Sequence, residues 1–488
     1  MTTPPVASPD SPRQIAIIGG GVSGLAAAHR LGELSAGACQ PLRVTVFEAQ
    51  STPGGLVGTK ELNGYRIETG ADSFITNKPG AIRLCERLGM AGELIPTDAR
   101  FRRSLVLSRG KAVGVPEGFQ LLAPNSLWPV WKSPIFSLAG KLRLAAEPFV
   151  PRPSQPVTDE SLASFVRRRL GQEALDRLVQ PLVGGIYTSD PERLSLRATM
   201  PRFLDMEASH GSLIRALQAE GREAAAPQDR AASGARYGLF ATPRLGISQM
   251  VDTLVSRVRQ TAQIQTGCQI ESIDKNPGGN GFVLRLAHGE AVACDGVIVA
   301  TPAHRAAHLL KSLRPAASQA LSEIEYASTV IVVSGHQLAD VAHPLDAFGL
   351  VIPAIEKRKI LAVSFTSRKF PNRAPDGSVQ LRTFVGGAMQ PELVRQSDEA
   401  IVDLVREELT GLLGVTWRPE VLVVARWMNS MPQYHVGHLD IVQRIERDLS
   451  DIPRLALGGN ALYGVGLPDT ITSGETAAER VWQSLANS

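Results

Sequence analysis

The stretch Ile15–Leu31, IAIIGGGVSGLAAAHRL, decides the fold of this chain. It opens with three apolar, β-branched isoleucines, which predict a buried strand of a parallel sheet. The glycines that follow have the spacing G-x-G-x-x-G and are Gly19, Gly21 and Gly24. In that spacing the first glycine makes a turn, the second lets the backbone approach a diphosphate, and the third lets a helix pack closely on the strand. The stretch therefore predicts a strand–turn–helix unit that binds a dinucleotide at the helix N-terminus.

A second strand and a second glycine pair support this prediction. Leu42–Ala49, LRVTVFEA, is typical of the next strand and contains Glu48, 24 residues after Gly24. An acid near this spacing binds the ribose of a dinucleotide. The Gly54–Gly55 pair follows soon afterwards and resembles the second phosphate-side loop of flavoproteins with a glutathione-reductase-like fold. This resemblance favours FAD over NAD as the cofactor.

Composition excludes several classes of protein. The chain has 488 residues, 43% hydrophobic and 20% charged, with a net charge of +4, which is ordinary for a globular enzyme and too balanced to indicate nucleic-acid binding. Its four cysteines form no CxxC pair, which fits a reducing compartment. The first twelve residues lack the basic and apolar regions of a signal peptide. We therefore expect a cytoplasmic enzyme without a metal site.

The order of strand-like and helix-like segments predicts an α/β fold built from discontinuous pieces. We expect a disordered lead over 1–12 and a Rossmann-type FAD-binding domain, glutathione-reductase-like, assembled from 13–95, 238–305 and 450–488. We expect a largely helical insertion over 96–237, with a hairpin over 104–116, which would form a lid or face a membrane. Residues 306–449 should form an α+β substrate-binding domain with a mainly antiparallel sheet and a helix over 398–414.

Residues 118–150 form an aromatic segment in a chain with only 5% aromatic residues. It contains Trp128, Trp131 and Phe136, and prolines interrupt it. Three interpretations remain open: a core helix–loop–helix, a hydrophobic lid over an apolar substrate, or a peripheral contact with a membrane surface.

Three further motifs make the likeness to a known family specific. They are LVGGIYTSDPERLSLRATMP (182–201), MPQYHVGHL (431–439) and GNALYGVGLPDTITSG (459–474). Together with the glycine-rich opening they resemble the flavin amine oxidase superfamily, and within it the oxygen-dependent porphyrinogen oxidases of haem synthesis. The chain departs from the family at Thr470, where cysteine is frequent, and at Leu245, where a glycine is usual. At Leu56 it also lacks the arginine that amine oxidases have.

The resemblance implies a set of cofactor contacts. The FAD diphosphate and ribose would be held by the two glycine loops and the acid, and the flavin ring would lie over the C-terminal motif. The positions are Gly19, Gly20, Gly21, Ser23, Gly24, Glu48, Gly54, Gly55, Ile270, Val465, Gly466 and Leu467. Ile270 matches a position whose backbone contacts the adenine.

The resemblance also implies the reaction, a six-electron oxidation of a porphyrinogen to a porphyrin with molecular oxygen as acceptor. The flavin would carry the chemistry, so no catalytic side chain is expected. Such a substrate needs an apolar slot and a few cations for its propionates. The slot candidates are Ile186, Tyr187, Phe348, Gly349 and Leu350, and the cation candidates are Arg102, Arg103 and Arg244. An amine oxidase, a carotenoid desaturase and a non-catalytic scaffold of the same fold remain as alternatives, as does the choice between coproporphyrinogen III and protoporphyrinogen IX.

Overall fold

The computed structural model describes residues 12–153, 158–223, 239–279 and 281–486. The lead predicted over 1–12 thus lies outside the described residues, except for its last position.

The strands, in chain order, are β1 Arg13–Ile18, β2 Leu42–Glu48, β3 Thr59–Leu62, β4 Tyr65–Glu68, β5 Phe74–Ile75, β6 Leu94–Pro96, β7 Leu105–Ser108, β8 Lys111–Gly114, β9 Phe119–Gln120, β10 Ala123–Pro124, β11 Phe240–Pro243, β12 Ala262–Thr266, β13 Ile270–Lys275, β14 Phe282–Leu286, β15 Ala291–Cys294, β16 Gly296–Val299, β17 Tyr326–Gln337, β18 Gly349–Val351, β19 Ala362–Phe365, β20 Ser378–Gly386, β21 Val421–Pro432 and β22 Leu455–Leu457.

The α-helices are α1 Val22–Ala38, α2 Gly80–Arg87, α3 Leu127–Lys132, α4 Leu138–Ala145, α5 Leu162–Arg169, α6 Gln172–Ala174, α7 Gln180–Tyr187, α8 Leu196–Thr199, α9 Pro201–His210, α10 Leu213–Glu223, α11 Ser248–Val258, α12 Ala303–Leu310, α13 Pro315–Ser322, α14 Thr366–Lys369, α15 Asp398–Leu413, α16 His438–Leu449 and α17 Leu467–Ala486.

A five-stranded parallel sheet, in the order β12-β2-β1-β16-β22, forms the first half of the molecule. Its strands come from the N-terminus, the middle and the C-terminal end of the chain. Alternate residues of β1 face two different cores. Ile15 and Ile17 pack with α1, α11 and α17, whereas Ala16 and Ile18 pack with the β13–β15 meander and helices α12, α13 and α16. Both faces are covered, which explains why β1 is apolar throughout.

A seven-stranded sheet, in the order β21-β17-β20-β19-β18-β7-β8, forms the second half. All its neighbouring strands are antiparallel except β18 and β7, which are parallel. Helix α15 packs on one face with a core of aliphatic residues. The other face is turned towards the first half of the molecule, as hydrogen bonds from its Gln380 and Arg382 to the carbonyls of Arg66 and Gly70 show.

The structure differs from the predicted domain division at one place. The hairpin β7–β8 lies inside the stretch predicted as a helical insertion, yet it extends the seven-stranded sheet through Leu105 and Val106. Sequence reasoning predicts the hairpin but not its partner, because Leu350 and Val351, which pair with it, lie more than two hundred residues away. Helices α3–α10 follow and share a separate apolar core.

Candidate functional site

The first glycine loop joins β1 to α1 and leaves an open space beside its backbone. Gly19 has a φ of +106°, and a Cβ there would lie 2.6 Å from the carbonyl oxygen of Ala300. A Cβ at Gly24 would lie 1.9 Å from the carbonyl oxygen of Gly19. The protein's own packing therefore requires glycine at both positions. At Gly21, in contrast, a Cβ would meet no atom within 4 Å. This vacant approach to bare backbone is what a bound diphosphate needs, so the loop fits the diphosphate of FAD.

The second glycine pair lies directly against the first loop. The N–H of Gly54 donates to the carbonyl of Gly20 at 2.8 Å. Gly55 has a φ of +67°, and a Cβ there would lie 3.2 Å from the Cα of Gly21. The two loops that the sequence separates by 30 residues therefore form one continuous cradle of backbone.

Glu48 ends β2 beside this cradle. One carboxylate oxygen accepts from the N–H of Gly20 at 2.6 Å, and the other accepts from the N–H of Gln50 at 2.8 Å. A carboxylate has about four acceptor positions, so two remain for ribose hydroxyls. The carbonyl of Glu48 accepts from the N–H of Cys268 at 2.9 Å, which brings Ile270 and the start of β13 close to the same strand end.

Ser23 lies in the interface between α1 and α17. It is buried, and a Cβ at Gly474 would lie 2.1 Å from its carbonyl oxygen, while a Cβ at Gly458 would lie 3.0 Å from its hydroxyl. This close contact attaches the C-terminal helix to the first helix. It thereby brings Val465, which is partly exposed, to the same region of the molecule.

The 431–439 motif holds the C-terminal loop in place. The Tyr434 hydroxyl accepts from the N–H of Gly464 at 2.7 Å and donates to the carbonyl of Asn460 at 2.6 Å. His438 Nε2 lies 2.9 Å from the carbonyl of Leu462, so this nitrogen carries the proton and donates. The two rings stack with centroids 3.9 Å apart. Burial lowers the pKa of His438, which keeps the imidazole neutral in this structural role.

That loop leads into α17, whose N-terminus carries the predicted flavin contacts. Val465, Gly466 and Leu467 are all partly exposed there. The N-terminus of a helix stabilises negative charge, which suits the charge that a reduced flavin develops. In the first turn, the carboxylate of Asp469 accepts from Lys78 Nζ at 2.8 Å.

The 182–201 motif is attached to the same unit. The N–H of Ser195 donates to the carbonyl of Tyr434 at 2.8 Å, and Gln433 Nε2 donates to the carbonyl of Tyr187 at 3.4 Å. The Tyr187 hydroxyl donates to the carbonyl of Thr199 at 3.2 Å. Burial raises the pKa of Tyr187 to about 12, with the nearby Asp469 carboxylate adding to the shift. Tyr187 therefore lies near the first turn of α17, where all three motifs meet.

The open face of the seven-stranded sheet is the one opposite α15, and it is partly exposed along β18, β19 and β20. Between β18 and β19, Gly349 lies opposite Ser364 and Val351 lies opposite Ala362. Between β19 and β20, Ala362 lies opposite Phe384. These five residues share one face and are partly exposed, whereas their neighbours Leu350, Val363 and Val385 are buried against α15. A Cβ on Gly185 of α7 would lie 3.9 Å from the side chain of Val351, so α7 crosses this face.

The predicted slot residues are thus divided between two faces. Gly349 lies on the open face, where a Cβ would come within 2.4 Å of the carbonyl of Val363. Leu350 is 1% exposed and points into the core with α15, on the opposite face. Phe348 precedes both and is partly exposed, and Ile186 on α7 is exposed.

The predicted cations differ in what they already bind. Arg103 donates to both the carbonyl, at 2.9 Å, and the carboxylate of Asp346. Arg102 contacts the carbonyl of Thr97 at 3.3 Å. Arg244 is exposed after β11, in a different sheet from the open face. A propionate at Arg103 would have to compete with Asp346.

Sequence reasoning missed a buried charged cluster. Lys369 Nζ donates to both oxygens of Asp72, each at 3.1 Å, and Arg382 Nη1 lies 3.4 Å from the same carboxylate. Burial opposes ionisation of Asp72, but the two cations outweigh burial and hold the pKa of its carboxyl below the usual range. The only local signal is an aspartate in the strand-like segment ETGADSF, because its partners lie about 300 residues away.

Comparison with known proteins gives a consistent result. The model of the family described as flavin-containing amine oxidoreductase matches residues 22–482. The chain is 33% identical to the coproporphyrinogen III oxidase of Bacillus subtilis, over 96% of this chain and 97% of that one. It is 30% identical to the chloroplastic protoporphyrinogen oxidase of Nicotiana tabacum, over 95% and 84% of the two chains. A crystal structure from Exiguobacterium sp. 255-15, provisionally assigned as a protoporphyrinogen oxidase, superimposes with a TM-score of 0.84 at 27% identity, over 97% of this chain and 99% of that one.

Proposed function

The chain belongs to the family of flavin-containing amine oxidoreductases, and from this premise we propose that it oxidises a porphyrinogen to a porphyrin. FAD is its cofactor. The observation that carries the proposal is the course of α7, which crosses the open sheet face at Val351 and ends at Tyr187, near Asp469 in the first turn of α17. We propose that the substrate slot lies there. The names of the relatives in Bacillus and tobacco support the substrate class.

The chemistry assigns different tasks to cofactor and protein. A bound flavin accepts two electrons at a time, so six electrons require three rounds of reduction, and we propose molecular oxygen as the acceptor that ends each round. The protein's task is to hold the ring in the slot and to exclude water from it. Tyr187, Ile186, Phe348 and Gly349 are the proposed apolar contacts.

The propionates of the substrate require cations at the rim. We propose Arg102 first among them, because its side chain contacts a carbonyl and no carboxylate lies within 4 Å of it among the described residues. Arg103 and Arg244 remain proposals of the same kind. Arginine suits this task because its fork binds a carboxylate with two parallel hydrogen bonds.

An anaerobic titration tests the proposal. The purified enzyme is titrated with coproporphyrinogen III and, separately, with protoporphyrinogen IX while the flavin absorbance is recorded. We expect at least one of them to bleach the flavin, and porphyrin fluorescence to appear when air is admitted. If neither bleaches the flavin but a polyamine does, the protein is an amine oxidase. A colourless preparation without flavin would instead support a non-catalytic scaffold.

We also propose a contact with a membrane surface through α3, α4 and the turn after them. Trp128 is 64% exposed and Phe149 is 81% exposed, and Leu138 and Leu142 are exposed beside them. Lys132 Nζ lies 4.7 Å from the centre of the Trp128 ring, so a basic group accompanies the exposed aromatic one, a combination that suits anionic lipid. No helix in the described part of the chain is long and apolar enough to cross a bilayer.

Co-sedimentation with lipid vesicles tests this contact. Vesicles that contain anionic lipid should carry the protein down, and Trp128→Ser with Phe149→Ser should abolish the binding while the flavin content stays constant. A matched control is Leu422→Ser, which removes an exposed apolar side chain from the seven-stranded sheet instead. Equal sedimentation of all three proteins would contradict the proposal.

A further inference from the structure

The charged cluster of Asp72, Lys369 and Arg382 lies at the open sheet face, where the guanidinium of Arg382 is 5.2 Å from the ring centre of Phe384, and it has no part in the functions assigned above. We propose that the carboxylate of Asp72 accepts a hydrogen bond from a pyrrole N–H group of the porphyrinogen, and that this bond is lost when the ring becomes a porphyrin. This inference rests on the proposed function and adds to it a residue that distinguishes substrate from product.

The position of Asp72 along the chain places it next to the cofactor region. The N–H of Thr69 donates to the carbonyl of Gly58 at 2.8 Å, just after the second glycine pair. Lys78, further along, donates to Asp469 in the first turn of α17. Asp72 lies between these two anchors. The segment that carries it therefore runs from the cradle to the helix that carries the predicted flavin contacts.

The two cations come from the seven-stranded sheet and from the helix that follows one of its strands. Arg382 lies opposite Ser364 in the register, so its side chain projects from the open face of the sheet. It also donates to the carbonyl of Gly70, and its guanidinium lies 5.2 Å from the ring centre of Phe384 on the same face. Lys369 ends α14, the helix that follows β19 directly. The carboxylate thus lies where the open face meets the cofactor side.

The carboxylate has room for a further donor. One of its oxygens accepts from Lys369 and, at 2.8 Å, from the hydroxyl of Ser73. The other accepts a hydrogen bond from Lys369 and has Arg382 only at 3.4 Å. An ionised carboxylate has about four acceptor positions. The side chain of Asp72 is 13% exposed, so an outside donor can reach it.

Substrate and product differ in the groups they would offer to this carboxylate. A porphyrinogen has saturated bridges, so its pyrroles tilt and one N–H group can point at an anion on one face of the ring. A porphyrin is flat and keeps two N–H groups, which point to the centre of the ring. Hydrogen bonds to charged groups are among the strong ones, so losing this one favours release of the product.

A binding experiment without turnover tests the inference. The FAD-containing enzyme is reduced under argon, so that it cannot oxidise a porphyrinogen, and equilibrium dialysis gives its affinity for coproporphyrinogen III and for coproporphyrin III. We expect the wild type to bind the porphyrinogen more tightly. Asp72→Asn should lower the affinity for the porphyrinogen by about tenfold to a hundredfold and change the affinity for the porphyrin by less than about twofold.

Lys369→Met is the matched control, since it removes a partner from the same cluster but keeps the acceptor. If the cluster only joins the two halves of the molecule, both variants should weaken both ligands by similar factors, and the inference is wrong. If Asp72→Asn does not fold, equal affinity of the wild type for the two ligands would overturn the inference. A wild type that binds neither ligand would refute the proposed function instead.

Discussion

Gly21 and Gly24 belong to one motif, yet they should fail in different ways when they are substituted. Gly21 has a φ of −71° and a ψ of 178°, which any residue adopts, and no atom lies within 4 Å of a Cβ placed there. Gly21→Val should therefore leave the FAD-free protein as stable as the wild type. It could also be more stable by about 0.4–1 kcal/mol, because losing a glycine lowers the conformational entropy of the unfolded chain. The added side chain fills the space that the diphosphate needs, so the flavin content should fall to less than about a tenth.

Gly24→Ala should damage the fold itself. Its Cβ would lie 1.9 Å from a backbone oxygen, and real contacts of this kind are essentially never closer than 3.0 Å, so the helix and the turn would have to separate by about 1 Å. Forced overpacking of this kind costs about 1–3 kcal/mol or more. The FAD-free Gly24→Ala protein should therefore melt at a lower temperature than the wild type, as measured by circular dichroism.

The assay compares FAD released per chain with the melting temperature of the FAD-free protein. Gly37→Val is the control. Gly37 lies in α1, the helix that follows Gly21, and a Cβ there also meets no atom within 4 Å. This variant should retain a full complement of FAD. The reasoning is refuted if Gly21→Val keeps one FAD per chain, or if Gly24→Ala melts like the wild type.

Three further predictions concern the surrounding structure. Tyr434→Phe leaves two backbone groups of the C-terminal loop without their partner, which costs about 2 kcal/mol. The affinity of the FAD-free protein for FAD should therefore fall about tenfold to thirtyfold in a fluorescence titration. As the control, Tyr463→Phe at an exposed position should change this affinity by less than about twofold. Burial raises the pKa of Glu68 to about 7 from its ordinary 4.5. Its contribution to the free energy of unfolding is therefore complete below pH 4.5 and is lost as the pH rises through 7. Urea denaturation at several pH values should show this loss, and Glu68→Gln should reduce the pH dependence. Glu147→Gln removes one charged partner of the fully buried Arg169 and leaves Glu207, which lies 3.3 Å from its Nη1. It should lower the free energy of unfolding by about 1–3 kcal/mol; no measurable change in chemical denaturation would contradict this.

The local parts of the fold could be predicted because their signals are local. The strand, turn and helix of the first glycine loop depend on contacts within a few residues, and the structure has them at β1 and α1. The hairpin over 104–116 and the helix over 398–414 are confirmed for the same reason, as β7–β8 and α15. The prediction of a helical insertion over 96–237 does not include the pairing of β7 with β18. The sequence of a strand does not show which distant strand it pairs with.

The candidate site shows the same limit at the level of side chains. A lone apolar run such as AFGLVIP does not reveal which face of a strand is open. The sequence therefore predicts the same role for Gly349 and Leu350, although they lie on opposite faces. Likewise, an arginine beside a predicted slot looks free in the sequence, whereas Arg103 is already bonded to Asp346.

The sequence by itself determined the dinucleotide loop, the second glycine pair, the acid after β2 and the family, because each depends on a short spacing of glycines and polar residues that backbone geometry demands. Only the tertiary structure decided that Tyr434 and His438 hold the C-terminal loop, and that Asp72 meets Lys369 and Arg382. These contacts join residues that are far apart along the chain. Their energies come from burial, hydrogen bonds and charge pairing between distant segments, and no local sequence pattern predicts them.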